Sequence, residues 1–236
     1  MLIGTVMFVC SSVYSDELPT CAVKFDHNAF VHQTMLGGKV LKTTLNNLQE
    51  CVHKSDVVRD KLDFTAIEMV MRLDNGEMDK AYRTQSKVQD LISIFELCAN
   101  AGSKSAQHNL ATLYNSNPTG HIFKLIGKNH DQFVYWTRQA AANGDPRSIF
   151  NLAVRMATTP GNSVKGIPID HELAYKSFMA IAIIGQKTDI SYLMPMIKRE
   201  VAKLRSKISD KRTRELLNEM NTFDLKQLAE AVKHSV

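Results

Sequence analysis

The chain has 236 residues, 44% hydrophobic and 22% charged, which is ordinary globular composition with ample length for a core. Six prolines and eleven glycines exclude extended low-complexity linkers. A net charge of +5 and an isoelectric point near 9.0 favour an acidic partner but are too weak to imply nucleic acid.

Residues 1–10 (MLIGTVMFVC) are uncharged and apolar, and acidic Asp16-Glu17 follow SSVYS. Val13 and Ser15 fit the small-residue positions before a signal-peptidase cut, so cleavage after Ser15 and export are expected. The alternative is a buried N-terminal strand or helix, since no Lys or Arg precedes the apolar run. Bulky Val9 argues against lipid attachment at Cys10, and the run is too short to span a bilayer. Export would remove Cys10 and leave Cys21, Cys51 and Cys98. Cys98 lies in a small-residue helical slot and is expected as a core thiol, so Cys21 and Cys51 are expected to pair. Such a bridge would stabilise by about 3–4 kcal/mol on the chain-entropy model.

Next come two apolar stripes at helical spacing. The first is Leu41, Leu45, Leu48 and Val52; the second is Leu62, Ala66, Met69, Val70 and Leu73. Asn75-Gly76 then breaks the chain. Leu36-Gly37-Gly38-Lys39 lacks the spacing that cradles phosphate and reads as a turn.

From residue 87 onward the pattern repeats. Four and three residues before Gly144 stand Ala140 and Ala141; Trp136 lies eight before it and Leu152 eight after. The same offsets from Gly102 give Cys98, Ala99, Ile94 and Leu110. From Gly185 they give Ile181, Ala182, Ser177 and Leu193. The fixed points lie 42 and 41 residues apart, the signature of stacked helical hairpins. Apolar spacing predicts helices over 90–101, 105–115, 131–143 and 147–157. Gly102 and Gly144 sit at helix ends, where Ser103 and Asp145 can start the next helix, and Asp170 reads as a further N-cap. Beyond the repeats, Ile197, Val201, Leu204 and Ile208 predict a long amphipathic helix. Leu216, Leu217 and Met220, then Leu225, Leu228 and Val232, predict two more.

"FVYWTRQAAANG", "FELCANAGSKSAQHNLATLY" and "GIPIDHELAYKSF" together resemble the Sel-one-like repeats, short α/α hairpins related to tetratricopeptide repeats. Only one unit carries the Trp, and residues 117–130 and 159–167 are longer than ideal connections. The resemblance implies an all-α fold, a right-handed α/α superhelical solenoid of antiparallel hairpins. The expected layout is a signal peptide over 1–15, an N-terminal extension with a degenerate hairpin over 16–86, repeats over 87–201 and capping helices over 202–236. It also implies that the first helix of each pair lines a concave face. Positions two before and one after the Trp slot would point into it: Ile92 and Phe95, Val134 and Thr137, Tyr175 and Phe178. That column is the expected partner-binding stripe; the alternative is that the C-terminal helices fold back on it and make it core.

No P-loop, GxGxxG, HExxH, GxSxG or CxxC motif occurs. Asp26, His27 and His32, and the pair His171-Glu172, read as surface polar residues rather than metal ligands. No cofactor and no enzymatic activity are expected. Residues 198–214 hold eight Lys or Arg, either a solvated helix face or a basic docking face. The resemblance then implies a protein-binding module of the bacterial envelope. Its most concrete form is a periplasmic immunity protein that blocks a secreted lipase- or phospholipase-type effector. An envelope adaptor is the alternative, and a cell-wall-fragment enzyme a further one. No membrane span and no nucleic-acid partner are expected, and the oligomeric state is left open.

Overall fold

The computed structural model describes residue 30 and residues 38–74, 84–115, 125–160, 166–185 and 190–220. Every regular element among them is helical. They are α1 (Gly38–Lys54), α2 (Asp56–Asp74), α3 (Gln85–Asn100), α4 (Lys104–Leu113), α5 (His130–Ala142), α6 (Pro146–Met156), α7 (His171–Gly185), α8 (Met194–Arg205) and α9 (Asp210–Met220). The 3-10 turn Ser191–Leu193 leads into α8. The expected signal peptide, Cys21, His27, His32 and the helix through Val232 lie outside the described residues.

Packing follows chain order. From α1 to α8, each helix contacts the next; α1 also touches α3, and α7 also touches α9. Such an arrangement buries each amphipathic stripe on its sequence neighbours. Three-residue connections at 101–103 and 143–145 turn α3 back on α4 and α5 back on α6.

The two connections are built alike. Ser103 N–H donates to the Cys98 carbonyl at 3.0 Å, and Gly102 N–H to Ala99 at 3.0 Å. Asp145 N–H donates to Ala140 at 2.9 Å, and Gly144 N–H to Ala141 at 2.9 Å. This paired pattern satisfies the last carbonyls of a helix and needs a left-handed residue. Gly102 (φ 93°) and Gly144 (φ 77°) supply it. The residue after each glycine then caps the following helix. Ser103 Oγ accepts from Ala106 N–H at 3.1 Å, and Asp145 Oδ1 accepts from Ser148 N–H at 2.9 Å. A Cβ at either glycine would meet nothing within 4 Å, so the strain of a substitution comes from φ alone. Gly102→Ala and Gly144→Ala should therefore each cost about 1–2 kcal/mol, and nearly the same amount. Urea denaturation of the two variants checks this; a neutral effect at either site would mean that its turn is built differently.

The repeated slots are interior. Ile94, Ser177, Cys98, Ala140 and Ile181 are fully buried, and Trp136, Leu110, Leu152 and Leu193 are buried with them. In the third unit Gly185 belongs to α7 itself, and the residues after it, 186–189, lie outside the described residues. Asp170 does cap α7, accepting from Leu173 N–H at 2.9 Å. The long helix expected through Ile208 stops at Arg205; Ile208 is buried in the turn before α9.

Polar ties lock hairpin to hairpin. Buried Gln107 on α4 donates to the Ala99 carbonyl at 2.9 Å and accepts from Asn143 Nδ2 at 2.8 Å. Arg59 on α2 reaches the Ala101 carbonyl at 3.0 Å, covering the end of α3.

Candidate functional site

The expected binding column is core. Ile92, Phe95, Val134, Thr137, Tyr175 and Phe178 are between 0% and 7% exposed. The reason is the number of neighbours around each helix. α3 has α1, α2 and α4 against it, and α7 has α6, α8 and α9. Phe178 packs edge-on to Phe150 of α6 at 5.6 Å. Thr137 turns its hydroxyl inward to the Phe133 carbonyl. The six side chains are gathered inside the fold and form no exposed stripe, although Phe95 also reaches the floor of a shallow groove beside α2.

A Ser/His/Asp set does come together at the junction of α4 and α6, unforeseen in the sequence. His108 Nδ1 lies 2.8 Å from Ser148 Oγ and 3.5 Å from Asp145 Oδ1. A hydrolytic triad needs the serine and the carboxylate on opposite ring nitrogens, with the serine open to substrate. Here both face Nδ1, and Ser148 is fully buried. Burial depresses the His108 pKa to about 4; Asp145 pulls it back up and Arg147 pushes it down. The cluster is a structural clamp.

The cysteines divide. Cys98 is a free, fully buried thiol that donates to the Arg59 carbonyl, and burial raises its pKa, so it is no nucleophile. Cys51 is disulfide-bonded, while Cys21 lies outside the described residues.

Much of the basic run is tied down. Arg199 and Lys203 bond Glu200, Arg212 bonds Glu172, Glu215 and Glu219, and Lys207 donates to the Ala157 carbonyl. His171 sits between the Thr158 carbonyl and Lys207, and no metal-binding cluster occurs among the described residues. No helix among them is long and apolar enough to cross a membrane.

Large apolar side chains are also exposed singly at Tyr135, Ile183 and Tyr192, but among the described residues the outer face of α2 aligns three of them. Ser55 caps the helix, its Oγ accepting from Val58 N–H at 3.4 Å. Val58, Leu62, Ala66 and Met69 are its buried side. Asp63 beneath accepts from Asn109 Nδ2 at 3.2 Å, which holds α2 to α4. Burial raises the Asp63 pKa, against the hydrogen bonds from Ser105 and Asn109. The opposite side is apolar too. Val57, Phe64 and Met71 are 59%, 65% and 57% exposed. Seven-residue steps stack them in one row along the helix. Beside the row lies a shallow apolar groove of about 80 Å³. Ile67, Val70 and Met71 of α2, Phe95 of α3 and Leu113 of α4 line most of it. A small-molecule site needs roughly 300 Å³ or more, so this groove has room for a side chain of a macromolecule.

The row was open to sequence reasoning. Its signal is a helix apolar on two sides, which ordinarily means burial on both. Here α3 and α4 take only the Leu62 side.

No protein-family model matches the chain, and no curated protein does either.

Proposed function

We propose that this chain is a non-catalytic protein-binding repeat protein, and that its hairpins continue as a right-handed α/α solenoid. The exposed Val57–Phe64–Met71 row carries the reading. Three large apolar side chains aligned on one helix are disfavoured in water unless another protein covers them. The matching turns at Gly102 and Gly144 support the repeat. The buried geometry around Ser148 argues for binding over hydrolysis.

The most concrete form is a periplasmic immunity protein that binds and blocks a lipase- or phospholipase-type effector. Export rests on the apolar segment 1–10 and on the small-residue pattern of Val13 and Ser15, which fits a cut after Ser15. A disulfide at Cys51 suits an oxidising compartment, and Cys21 is the proposed partner. The test is survival of cells that export a lipase-type toxin, taken from the chain's gene neighbourhood. Co-export of the chain should protect them. Phe64→Glu should lower survival about tenfold or more, as for loss of an interface anchor, with unchanged helical circular dichroism. Absence of protection would remove the immunity reading. Full protection by Phe64→Glu would remove the α2 face from it.

A further inference from the structure

We propose that the occupant of the α2 face is a second copy of the same face, so that the working unit is a two-fold pair joined antiparallel along α2. This rests on the reading above that the face is a protein-contact surface; the two copies cover the row, the effector then meets the paired unit, and Phe64→Glu lowers protection by dissolving the pair.

The charges around the row are arranged to match a reversed copy of themselves. Phe64 sits at its centre, with Val57 seven residues before and Met71 seven after. Lys61 lies three residues before Phe64 and Glu68 four after. At helical spacing both fall on the same flank of the row. In an antiparallel two-fold pair a flank meets its own copy, reversed end for end. Centred on Phe64, that brings Lys61 of each copy opposite Glu68 of the other, within about one residue's rise. Val57 meets Met71 at the rim of the groove, and the two Phe64 rings meet at the axis. The other flank brings exposed Asp60 opposite half-buried Ile67, not opposite a like charge. The face is thus complementary to itself in shape order and in sign. The two helix dipoles also oppose, which favours this direction over the parallel one.

A parallel pair would make a different match. Lys61 would meet Asp60 of the other copy, and Glu68 would meet Ile67. The two arrangements therefore respond differently to charge changes.

The test is the solution mass and dimer affinity of the full chain by sedimentation. The wild type should dimerise reversibly. Phe64→Glu should give a monomer of unchanged helicity. Lys61→Glu and Glu68→Lys should each weaken the dimer about tenfold, since each changes two symmetry-related contacts. The double variant Lys61→Glu/Glu68→Lys should restore affinity to near the wild-type value. These substitutions lie on the exposed or half-buried side of α2, away from Leu62 and Ala66. A wild-type chain that stays monomeric at every concentration overturns the proposal. So does a dimer indifferent to Glu68→Lys but broken by Asp60→Lys, the parallel result. A monomer whose protection is lost with Phe64→Glu overturns the second copy alone and leaves the protein-contact reading standing. A monomer whose protection is unaffected overturns both.

Discussion

Phe178→Ala is expected to destabilise the chain by about 3–5 kcal/mol, a large share of the ~5–15 kcal/mol that holds an ordinary domain folded. Phe178 is fully buried on α7, where α6, α8 and α9 surround it. Truncation removes its apolar area from the core and leaves a void that packed helices close only in part. The ring also stands edge-on to Phe150, with centroids 5.6 Å apart and planes at 65°. A double-mutant cycle with Phe150→Ala should recover about 0.5–1.5 kcal/mol of coupling for that pair. Thermal and urea unfolding are the measurements. The same result separates two views of the column from Ile92 to Phe178. A core residue lowers stability and leaves partner affinity alone at temperatures where the variant is folded. A groove residue would do the reverse, and a stable Phe178→Ala variant would return the column to the list of binding surfaces.

The column misled the sequence reading for a physical reason. Position within a hairpin decides which way Phe95 and Phe178 point, and periodicity reports that well. It does not report how many other helices pack on the same side. α1 lies against α3, while α8 and α9 lie against α7. These are contacts with helices outside the hairpin itself, the next or next-but-one in the chain, and the hairpin's own spacing does not report them. Features with a local cause were readable. Gly102 and Gly144 need positive φ, Asp145 and Asp170 accept from the turn that follows them, and Cys98 fills a small-residue slot. The α2 face was half readable. Leu62, Ala66 and Met69 are buried as their spacing predicts. Val57, Phe64 and Met71 look equally apolar in the sequence, and only the placement of α3 and α4 tells which side is left over. The His108–Ser148 contact joins residues 40 apart across two hairpins, and no motif spacing announces it.

That contact leads to the second large effect, loss of stability in acid. His108 has an 87%-covered side chain by its 13% residual exposure, and burial depresses its pKa from 6.5 to about 4. The folded chain therefore binds fewer protons here than the unfolded chain between those values. Stability is fully present above pH 6.5 and falls as the pH drops through that window. At 1.36 kcal/mol per pH unit the loss approaches about 3 kcal/mol by pH 4. Asp145, at 3.5 Å, limits the loss by attracting the charged ring, and Arg147 adds to it. Asp63 acts in the opposite direction. Burial raises its pKa above 3.8, so the folded chain holds that proton more readily and gains stability as the pH falls through its own window. His108 thus sets a decline that starts at pH 6.5 and levels off near pH 4, where the folded chain takes up the same proton, while Asp63 opposes it at the acid end. His108→Gln should remove most of the decline, because the amide stays neutral throughout. Asp63→Asn should leave the decline from pH 6.5 and remove only the opposing gain at its acid end. Urea midpoints from pH 4 to pH 8 at constant ionic strength measure all three chains. If wild type and His108→Gln decline in parallel, the ring is not buried between α4 and α6, and the clamp that joins these two hairpins must be sought in Gln107 and Asn143 alone.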